Sequence, residues 1–514
     1  MTEFEFNALA AQGFNRIPLL LECPADLDTP LSLYLKLTQG ESRANSLLLE
    51  SVLGGERFGR YSFIGLPARV SIRAHADQIS VLRDGRELEQ HVGDPIEFVR
   101  GFQRRYRAAL RPGLPRFCGG LAGTFGYDLV RFVEPRLGPC TLPDPVGAPD
   151  LHLLLIDELA IVDNLRGALY LVVYADPSGP DAYANARHRL RELRARLTRA
   201  VIEPAATPDG GDPARVVRDF AKADYLAAVE RAREYIMAGD LMQVQVGQCL
   251  RKPFSHPPLM LYRALRAINP SPYMYFYDFG DTQVVGASPE ILVRQETVAV
   301  TEQDAPAVRQ CAHDGRVTKV TIRPLAGTRA RGLSPDQDQS LADELLADPK
   351  ERAEHLMLID LARNDIGRIA ETGTVRVTEQ MAIEKYSHVQ HIVSNVEGVL
   401  RGGLDAIDVF RATFPAGTLT GAPKVRAMEL IDQLEITKRG IYGGACGYLS
   451  FSGEMDLAIA IRTGIIRHEQ LYVQAAAGVV YDSIAENEWR ETEVKARALM
   501  RAAERVDEGL SHEH

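Results

Sequence analysis

Short β-type runs separated by glycine, proline and aspartate, rather than by helices, are the feature of this sequence that most restricts its fold. In the first third of the chain these runs read SLLLESVL, RYSFIG, RVSIRAH, QISVLRD, LHLLLIDELAIVD and ALYLVVYA. Strands joined by short turns pair antiparallel, because a parallel pair needs a long crossover connection. The order of elements therefore predicts an α+β fold rather than a doubly wound parallel sheet. We expect antiparallel sheets packed as a sandwich-like core with flanking helices.

Stretches with helical periodicity lie among these runs. They read PIEFVRGFQRRYRAAL, YANARHRLRELRARLTRA, DYLAAVERAREYIMAG, SLADELLADPKERAEHLMLIDLARNDIGRI and PKVRAMELIDQL. Gly239 at the end of the third stretch is predicted to cap a helix, since glycine adopts the left-handed conformation that ends helices. The β-type runs of the second half read LMQVQVGQCL, QVVGAS, HIVSNVEGVL, LAIAIRTGII and LYVQAAAGVV.

The length of 514 residues predicts two or three packed units, because single domains rarely grow that large. The stretch EPAATPDGGDPAR is rich in proline, glycine and aspartate and cannot support a regular element. We therefore predict an N-terminal region at 1–205, a linker at 206–218 and a second domain at 219–514. The two regions are expected to pack intimately.

Composition excludes several classes of protein. The formal net charge of −10 repels a polyanion, and with 7% aromatic residues it argues against DNA or RNA binding. The start MTEFEFNALA does not resemble a signal peptide, and Asp157 and Glu158 interrupt the most apolar stretch, so a cytoplasmic protein is expected. The cysteines are scattered without a C-x-x-C pair, which predicts reduced thiols, with Cys446 in packing.

Two acidic pairs stand out in the helical stretches. Glu351 and Glu354, and likewise Glu488 and Glu491, are three residues apart, so that on a helix each pair projects to one side. Ligation by carboxylates alone suits a hard ion such as Mg²⁺, completed by water or substrate oxygens. The alternative is two solvated helix faces beside Lys and Arg.

Glycine-rich turns and one arginine are further candidates for anion binding. The turns are LAGTRARG, FPAGTLTGAPK, YGGACGY and AAAGVVYDS, and none has the spacing of a nucleotide-binding P-loop. Arg462 lies within the apolar run LAIAIRTGII, which we interpret as one strand, so its guanidinium needs an anionic partner. That partner is either a protein carboxylate or a ligand.

A series of motifs in one order resembles the chorismate-utilising enzymes. These motifs read RPLAGTRARG, AEHLMLIDLARND, HIVSNVEG, FPAGTLTGAPK, YGGACGYLSF, AIAIRT and AGVVYDS, and the segments GASPE, LLLES and RYSFIG fit the same family. The resemblance covers roughly residues 15 to 505. It implies the branch that makes anthranilate and pyruvate from chorismate and ammonia, in tryptophan biosynthesis. It also implies that 219–514 is the catalytic domain.

The resemblance assigns roles to matched residues. Mg²⁺ is expected on Glu354 and Glu491, with Glu351 and Glu488 in support. Arg462 and Tyr442 are expected to hold the enolpyruvyl carboxylate, and His391 to assist departure of the C4 hydroxyl with Thr418 as a second catalytic residue. The remaining substrate surface is assigned to Gly327, Thr328, Ala476, Ala477 and Gly478.

Two positions distinguish this branch from its sister chemistries. Members that add water at C2 typically carry Lys as the base where this chain has Gln243, and an amide cannot deprotonate water. The branch that makes 4-amino-4-deoxychorismate often has a nucleophilic Lys where this chain has Ala326. Since some of those enzymes lack that Lys, aminodeoxychorismate synthase stays the alternative. A third possibility is a catalytically silent binding subunit.

Partners and regulation also follow from the resemblance. The chain is expected to take ammonia from a separate glutamine amidotransferase subunit, in a heterotetramer, because no glutaminase motif is present. Tryptophan is expected to inhibit from a separate site formed by Glu50, Ser51, Pro272, Tyr273 and Met274. Without the resemblance, LLLES and NPSPYM would be interpreted as a core strand and a loop. Gly247, where serine is commoner, and an insertion at 301–317 depart from the family pattern.

Overall fold

The structure, a computed structural model, describes residues 1–40, 42–51, 59–111, 113–204, 216–302, 304–386 and 389–510. Most of the predicted linker at 206–218 lies outside these ranges. The division of the chain at that point therefore stays a prediction.

The described residues form twelve α-helices and three short 3₁₀ helices. The α-helices are α1 (Glu3–Ala11), α2 (Pro30–Leu37), α3 (Pro95–Gln103), α4 (Ala182–Arg196), α5 (Lys222–Met237), α6 (Pro258–Ile268), α7 (Pro306–Gln310), α8 (Pro335–Ala347), α9 (Pro349–Gly367), α10 (Ala406–Thr413), α11 (Lys424–Leu434) and α12 (Ala485–Asp507). The 3₁₀ helices are Tyr127–Phe132, Pro135–Leu137 and Gly417–Leu419. Within the described ranges, no helix is both long and apolar enough to cross a membrane.

Twenty-four strands were found in the same residues. Those of the N-terminal region are β1 (Ile17–Pro24), β2 (Ser46–Glu50), β3 (Tyr61–Gly65), β4 (Val70–His75), β5 (Gln78–Arg83), β6 (Arg86–Val92), β7 (Gly120–Phe125), β8 (Leu151–Ile156), β9 (Glu158–Asp163) and β10 (Ala168–Ala175). The others are β11 (Val217–Arg218), β12 (Gln243–Pro253), β13 (Tyr273–Asp278), β14 (Thr282–Ser288), β15 (Ile291–Ala299), β16 (Arg316–Ile322), β17 (Leu325–Ala330), β18 (Arg376–Lys385), β19 (Val389–Val399), β20 (Gly421–Ala422), β21 (Ala445–Ser450), β22 (Met455–Ile459), β23 (Thr463–Arg467) and β24 (Gln470–Val479).

The strands form two antiparallel sheets, each with twelve strands among the described residues. The first sheet has the order β1-β10-β9-β3-β2-β13-β14-β23-β24-β12-β11, with β20 beside β12. The second has the order β17-β19-β16-β15-β22-β21-β7-β8-β4-β5-β6, with β18 beside β19. Hydrogen bonding passes between the N-terminal region and the rest of the chain in both sheets. Glu50 pairs with Met274 in the first, and Gly123 pairs with Gly447 in the second.

Three large apolar clusters hold these layers together. One contains Leu47 and Tyr275 of the first sheet with Leu154 and Tyr448 of the second, so the two sheets pack face to face. On the outer face of the first sheet the core includes residues of α4, α6 and α12, and on that of the second it includes residues of α3, α9 and α10. The predicted α+β sandwich with flanking helices is confirmed.

Several local predictions are also confirmed. Gly239 has φ +84° directly after α5, as a helix-capping glycine should. All six cysteines are free, and Cys446 is buried. The long helical stretch at 340–369 is helical but is divided at Pro349, since Asp348 caps a new helix by accepting from the amides of Lys350 and Glu351.

Two predictions about element bounds are wrong. The helix predicted for PIEFVRGFQRRYRAAL ends at Gln103, and beyond it the amide of Ala109 donates to Arg16 O at 2.8 Å. The run LAIAIRTGII is two strands in different sheets, β22 in the second and β23 in the first. The chain crosses between the sheets at 460–462, and Arg462 there has φ +51°. The sequence pattern does not show this crossing, because both strands are buried and therefore apolar.

Candidate active site

The two predicted acidic pairs lie on the first two turns of α9 and α12. Because α9 begins at Pro349 and α12 at Ala485, Glu351 and Glu488 each lie in the first turn of a helix, where negative charge is favourable. The two helix starts approach each other, since Lys350 Nζ lies 3.1 Å from Asp482 Oδ1. Helix α9 packs on β17 and β19 of the second sheet, whereas α12 packs on β24 of the first. The acids thus lie where the two sheets meet.

Other side chains of the protein contact Glu351, Glu354 and Glu491. Glu354 Oε1 accepts from Gln243 Nε2 at 2.9 Å, and Glu491 forms an ion pair with Lys495 one turn along α12. Glu351 Oε1 accepts from Arg329 at 3.1 Å. Burial raises the pKa of Glu351, and the neighbouring Glu354 adds to this rise.

The structure brings together the members of each pair, but the described residues contain no group of three or more His, Cys, Asp or Glu side chains that could hold a metal by itself. The pKa of Glu488 is raised by burial, with a smaller rise from Glu491. The available donors are carboxylate oxygens, which Mg²⁺ prefers, and this ion usually keeps several waters. The donor chemistry therefore fits Mg²⁺ on two carboxylates, with its other positions filled from outside the protein.

Arg462 has the properties of an anion-binding group. Its Nη1 donates to Lys495 O at 2.8 Å. Among the described residues, no carboxylate lies within 4 Å of its guanidinium, so it forms no ion pair there. Burial lowers the pKa of Arg462, while Tyr442 and Glu491 raise it. A guanidinium in such surroundings has donors available for a ligand carboxylate.

Tyr442 and the strand at 476–478 lie beside this arginine. Burial raises the pKa of Tyr442, while nearby Arg462 and the Ala476 backbone lower it. Ala476 O accepts from Lys495 Nζ at 2.8 Å. Gly478 pairs with Gln245 of β12, and a Cβ there would lie 2.7 Å from Gln243 Nε2, so a larger residue would displace the Gln243 amide. Ala477 is buried between these two positions.

His391 is held by the neighbouring strand β17. Its Nδ1 lies 2.9 Å from Gly327 O and 3.0 Å from Thr328 Oγ1. Because a carbonyl oxygen only accepts, Nδ1 carries the proton, and Nε2 of the neutral ring is then an acceptor. Burial lowers the pKa of His391, which favours this neutral form. Gly327 has φ +76°, and a Cβ there would lie 3.1 Å from Glu351 Oε2.

Thr418 and a buried acid occupy the inner side of the site. Thr418 Oγ1 is buried and has no hydrogen-bond partner among the described residues, although it is near enough to Glu290 to lower the pKa of that carboxyl. Burial outweighs this effect and raises the pKa of Glu290 to about 8, while Lys495 lowers it slightly. Glu290 is therefore mainly protonated at neutral pH. Perturbed acids of this kind are typical of active sites.

Comparison with known proteins identifies the family of this chain. The family model described as chorismate binding enzyme matches residues 53–306 and 308–501. The chain belongs to the chorismate-binding enzyme family. An anthranilate synthase component 1 of Neisseria meningitidis serogroup A is 52% identical over 98% of this chain and 99% of its own length. One from Pseudomonas aeruginosa is 51% identical over 99% of this chain and 100% of its own length.

A solved structure has a similar fold. The crystal structure of anthranilate synthase component I from Streptococcus pneumoniae TIGR4 matches with a TM-score of 0.72 at 36% identity, covering 88% of this chain and 94% of that chain. Within the chorismate-binding enzymes, the chain therefore groups with the anthranilate synthase component 1 proteins. The resemblance deduced from the motifs is confirmed.

Two residues of the candidate site were not predicted from the sequence. Lys495 follows Glu491 by four residues on α12, so helical spacing alone could have added it to the acidic face. Glu290 contributed to the sequence predictions only as part of the motif GASPE. An acid directly between the strands β14 and β15 was the available signal, since few acids are tolerated at such buried positions.

All five residues predicted for tryptophan line one separate cavity of about 290 Å³. They are Glu50, Ser51, Pro272, Tyr273 and Met274. The Glu50 carboxylate accepts from Tyr262 and, at 3.2 Å, from Arg266. Ser51 Oγ is buried without a partner in the described part of the chain. Tyr61, Phe63 and Tyr448 complete an aromatic wall.

Proposed function

We propose that this chain converts chorismate and ammonia to anthranilate, pyruvate and water, with Mg²⁺ as cofactor. The observation that carries the proposal is the buried Arg462 guanidinium, which has Tyr442 beside it and no carboxylate partner in the described residues. The names of the relatives, anthranilate synthase component 1, support the same reaction.

Chorismate carries two carboxylates, so a chain with a net charge of −10 needs local cations to bind it. Arg462 and Tyr442 would hold the enolpyruvyl carboxylate beside the backbone of 476–478. Glu354 and Glu491 would hold Mg²⁺, supported by Glu351 and Glu488. The ion would neutralise the ring carboxylate and so turn an acidic pocket into an attractive one. Gly327 and Thr328 would line the remaining surface.

Loss of the C4 hydroxyl as water requires a proton. Glu290 supports this role better than His391, because its raised pKa of about 8 keeps it protonated at neutral pH. His391, neutral and protonated at Nδ1, would instead accept a hydrogen bond at Nε2 and orient the leaving group. Thr418, whose hydroxyl is near Glu290, would contact the same part of the substrate. Elimination of pyruvate from the aminated ring, with loss of the C2 proton, then makes the ring aromatic.

Ammonia would add directly to C2, since Ala326 offers no amine nucleophile and Gln243 cannot act as the base that activates water. We infer that a separate glutamine amidotransferase subunit, a component 2, supplies it in a heterotetramer. The word component in the relatives' names supports such a partner. Tryptophan would bind the cavity lined by Ser51 and Met274 and inhibit the reaction from there.

Product identification tests the proposal. The purified chain, incubated with chorismate, MgCl₂ and an ammonium salt, should release anthranilate, detected by its fluorescence and by chromatography. Release of 4-amino-4-deoxychorismate would favour aminodeoxychorismate synthase. Chorismate binding without any product would favour a silent binding subunit. Glutamine in place of ammonium should give no anthranilate until the partner subunit is added.

A further inference from the structure

Arg462 lies in an unusual stretch of backbone. Its φ of +51° falls in the left-handed region, which residues other than glycine, asparagine and aspartate rarely adopt. It occupies the crossing at 460–462 between β22 of the second sheet and β23 of the first. Such a conformation persists only where the surroundings hold it, and it often occurs at functional sites. The neighbouring hydrogen bonds show what holds Arg462.

Two hydroxyl groups constrain the residues on both sides of Arg462. Thr463 Oγ1 donates to Ile461 O at 2.9 Å, which closes the turn around the arginine. Thr463 Oγ1 also lies 2.6 Å from the hydroxyl of Tyr275. Since the Thr463 proton is used in the first bond, Tyr275 donates and Thr463 accepts. Tyr275 and Thr463 are 2% and 4% exposed, so water cannot replace this bond.

The Tyr275 ring has little freedom to move while this bond exists. Gly286, opposite Tyr275 on β14, has no side chain, and a Cβ there would lie 2.1 Å from the ring. Gly286 also pairs with Thr463 of β23. The Tyr275 ring therefore crosses β14, which lies between β13 and β23, and reaches the hydroxyl of Thr463. A change in the position of the ring would break the bond to Thr463.

The same tyrosine lines the separate cavity described above. Tyr275 and Met274 are neighbours on β13 and both line that cavity. A second connection runs through the backbone, because Met274 pairs with Ala287 and the amide of Ala287 donates to Arg462 O at 3.1 Å. Both connections lead from the cavity wall to Arg462.

We propose that Tyr275 is a positioning residue for Arg462, and that it couples occupation of the cavity to binding of the substrate carboxylate. This inference rests on the proposed function, in which Arg462 holds the enolpyruvyl carboxylate and an amino acid fills the cavity. An occupant that displaces Tyr275 breaks its bond to Thr463 and releases the turn that holds Arg462. By thermodynamic linkage, chorismate must weaken binding of the occupant by the same factor.

Removing single hydroxyl groups tests the positioning role. Tyr275→Phe and Thr463→Val should each raise KM for chorismate about fivefold to tenfold, as for loss of a buried hydrogen bond, with kcat changed less than about twofold. The effect falls on KM because Arg462 holds a carboxylate present in both ground and transition states. Thr463→Ser keeps the hydroxyl and should restore KM. Tyr34→Phe is the matched control. The Tyr34 hydroxyl, on α2, is also buried and lies 2.8 Å from Ser46 Oγ on β2 of the first sheet.

Calorimetric titration with tryptophan, in the absence and presence of chorismate, and with chorismate alone tests the coupling. In the unmodified chain, chorismate should weaken tryptophan binding, and in Tyr275→Phe the ratio of the two dissociation constants should approach one. Equal KM and equal coupling in Tyr275→Phe and Tyr34→Phe would overturn the proposal. If Tyr275→Phe fails to fold, Thr463→Val and its rescue by Thr463→Ser decide. Chorismate affinity is measured directly, so an unmodified chain that binds chorismate without making anthranilate would refute the proposed function but not this inference.

Discussion

The active site and the separate cavity differ in whether their buried ionisable groups are paired within the protein. In the cavity, carboxylates are neutralised within the protein, since Asp456 accepts from Tyr273 and Arg294 at 3.0 Å and Glu50 accepts from Tyr262 and Arg266. In the active site, the buried acid Glu290 is kept protonated rather than paired, and Arg462 has no carboxylate partner in the described ranges.

This difference indicates what each site binds. A lining whose charges are already paired offers shape and an aromatic wall, which suits a small amphipathic molecule without net charge, such as a zwitterionic amino acid. A lining with an uncompensated cation and a protonated acid is costly until a charged ligand arrives, and it stabilises charge that develops during reaction. The predictions below therefore separate changes that affect chemistry from changes that affect only occupation of the cavity.

Removal of the metal or of a metal carboxylate should have the largest effect. Glu354→Gln and Glu491→Gln should each lower anthranilate formation by about 10³-fold or more, because the dianionic substrate then meets an acidic pocket without its neutralising ion. Steady-state rates with ammonium measure this. Asp360→Asn is the control on α9, since this exposed acid forms an ion pair with Arg363 and with no other residue that the structure describes. Full turnover of the unmodified chain in EDTA would contradict the metal assignment.

Replacement of the protonated acid should have the next largest effect. Glu290→Gln should lower kcat by about 10²-fold, as for loss of a general acid. In the unmodified chain kcat should fall as pH rises through about 8, where Glu290 loses its proton, and the variant should lack this limb. Because folding raises this pKa, the contribution of the protonated carboxyl to stability is full below the ordinary glutamate pKa and is lost as pH rises through about 8.

A control separates burial from chemistry. Burial also raises the pKa of Glu454, which lies in the turn between β21 and β22. In the second sheet, β16 and β15 separate β22 from β19, on which α9 packs. Glu454→Gln should therefore leave the alkaline limb in place. An unchanged pH profile in Glu290→Gln would return the proton-donor role to His391.

The acidic helices could be predicted from sequence because their information is local. Spacing of three residues fixes the relative direction of Glu351 and Glu354 once a helix is assumed, and Asp348 with Pro349 sets where that helix begins. The antiparallel character of the sheets follows in the same way from short connections. Motif order then identified the family, although motif order by itself gives no distances.

Features that depend on distant parts of the chain could not be predicted. The pairing of Glu50 with Met274 joins residues more than two hundred positions apart, and no local pattern sets that register. The raised pKa of Glu290 depends on burial beside Thr418 and Lys495, which come from other elements. The crossing at Arg462 was missed because two buried strands in sequence have the same apolar pattern as one.

Changes in the cavity wall should affect inhibition by about tenfold or more. Ser51→Phe fills the cavity and Met274→Thr removes part of its apolar wall, so both should raise the tryptophan concentration needed for half inhibition. The free energy of coupling between two such sites is typically about 1 to 3 kcal/mol. Titration of ammonia-dependent activity measures this. Met260→Thr is the control, because Met260 is buried on α6 but does not line the cavity. Equal inhibition of all variants would refute the site.

The surface contact between the two acidic helices should have the smallest effect. Lys350 and Asp482 join the starts of α9 and α12, but their side chains are 59% and 63% exposed, and such pairs contribute about 0.2 to 1 kcal/mol. Lys350→Ala should therefore lower the Tm only slightly and weaken the apparent Mg²⁺ affinity less than about fivefold. Arg363→Ala removes a similarly exposed pair on α9 and is the control for stability. If Lys350→Ala instead weakened Mg²⁺ binding more than about tenfold, with Arg363→Ala unchanged, then the convergence of the helices would depend on this pair. The packing of α9 on the second sheet and of α12 on the first would in that case be insufficient to hold the carboxylates together.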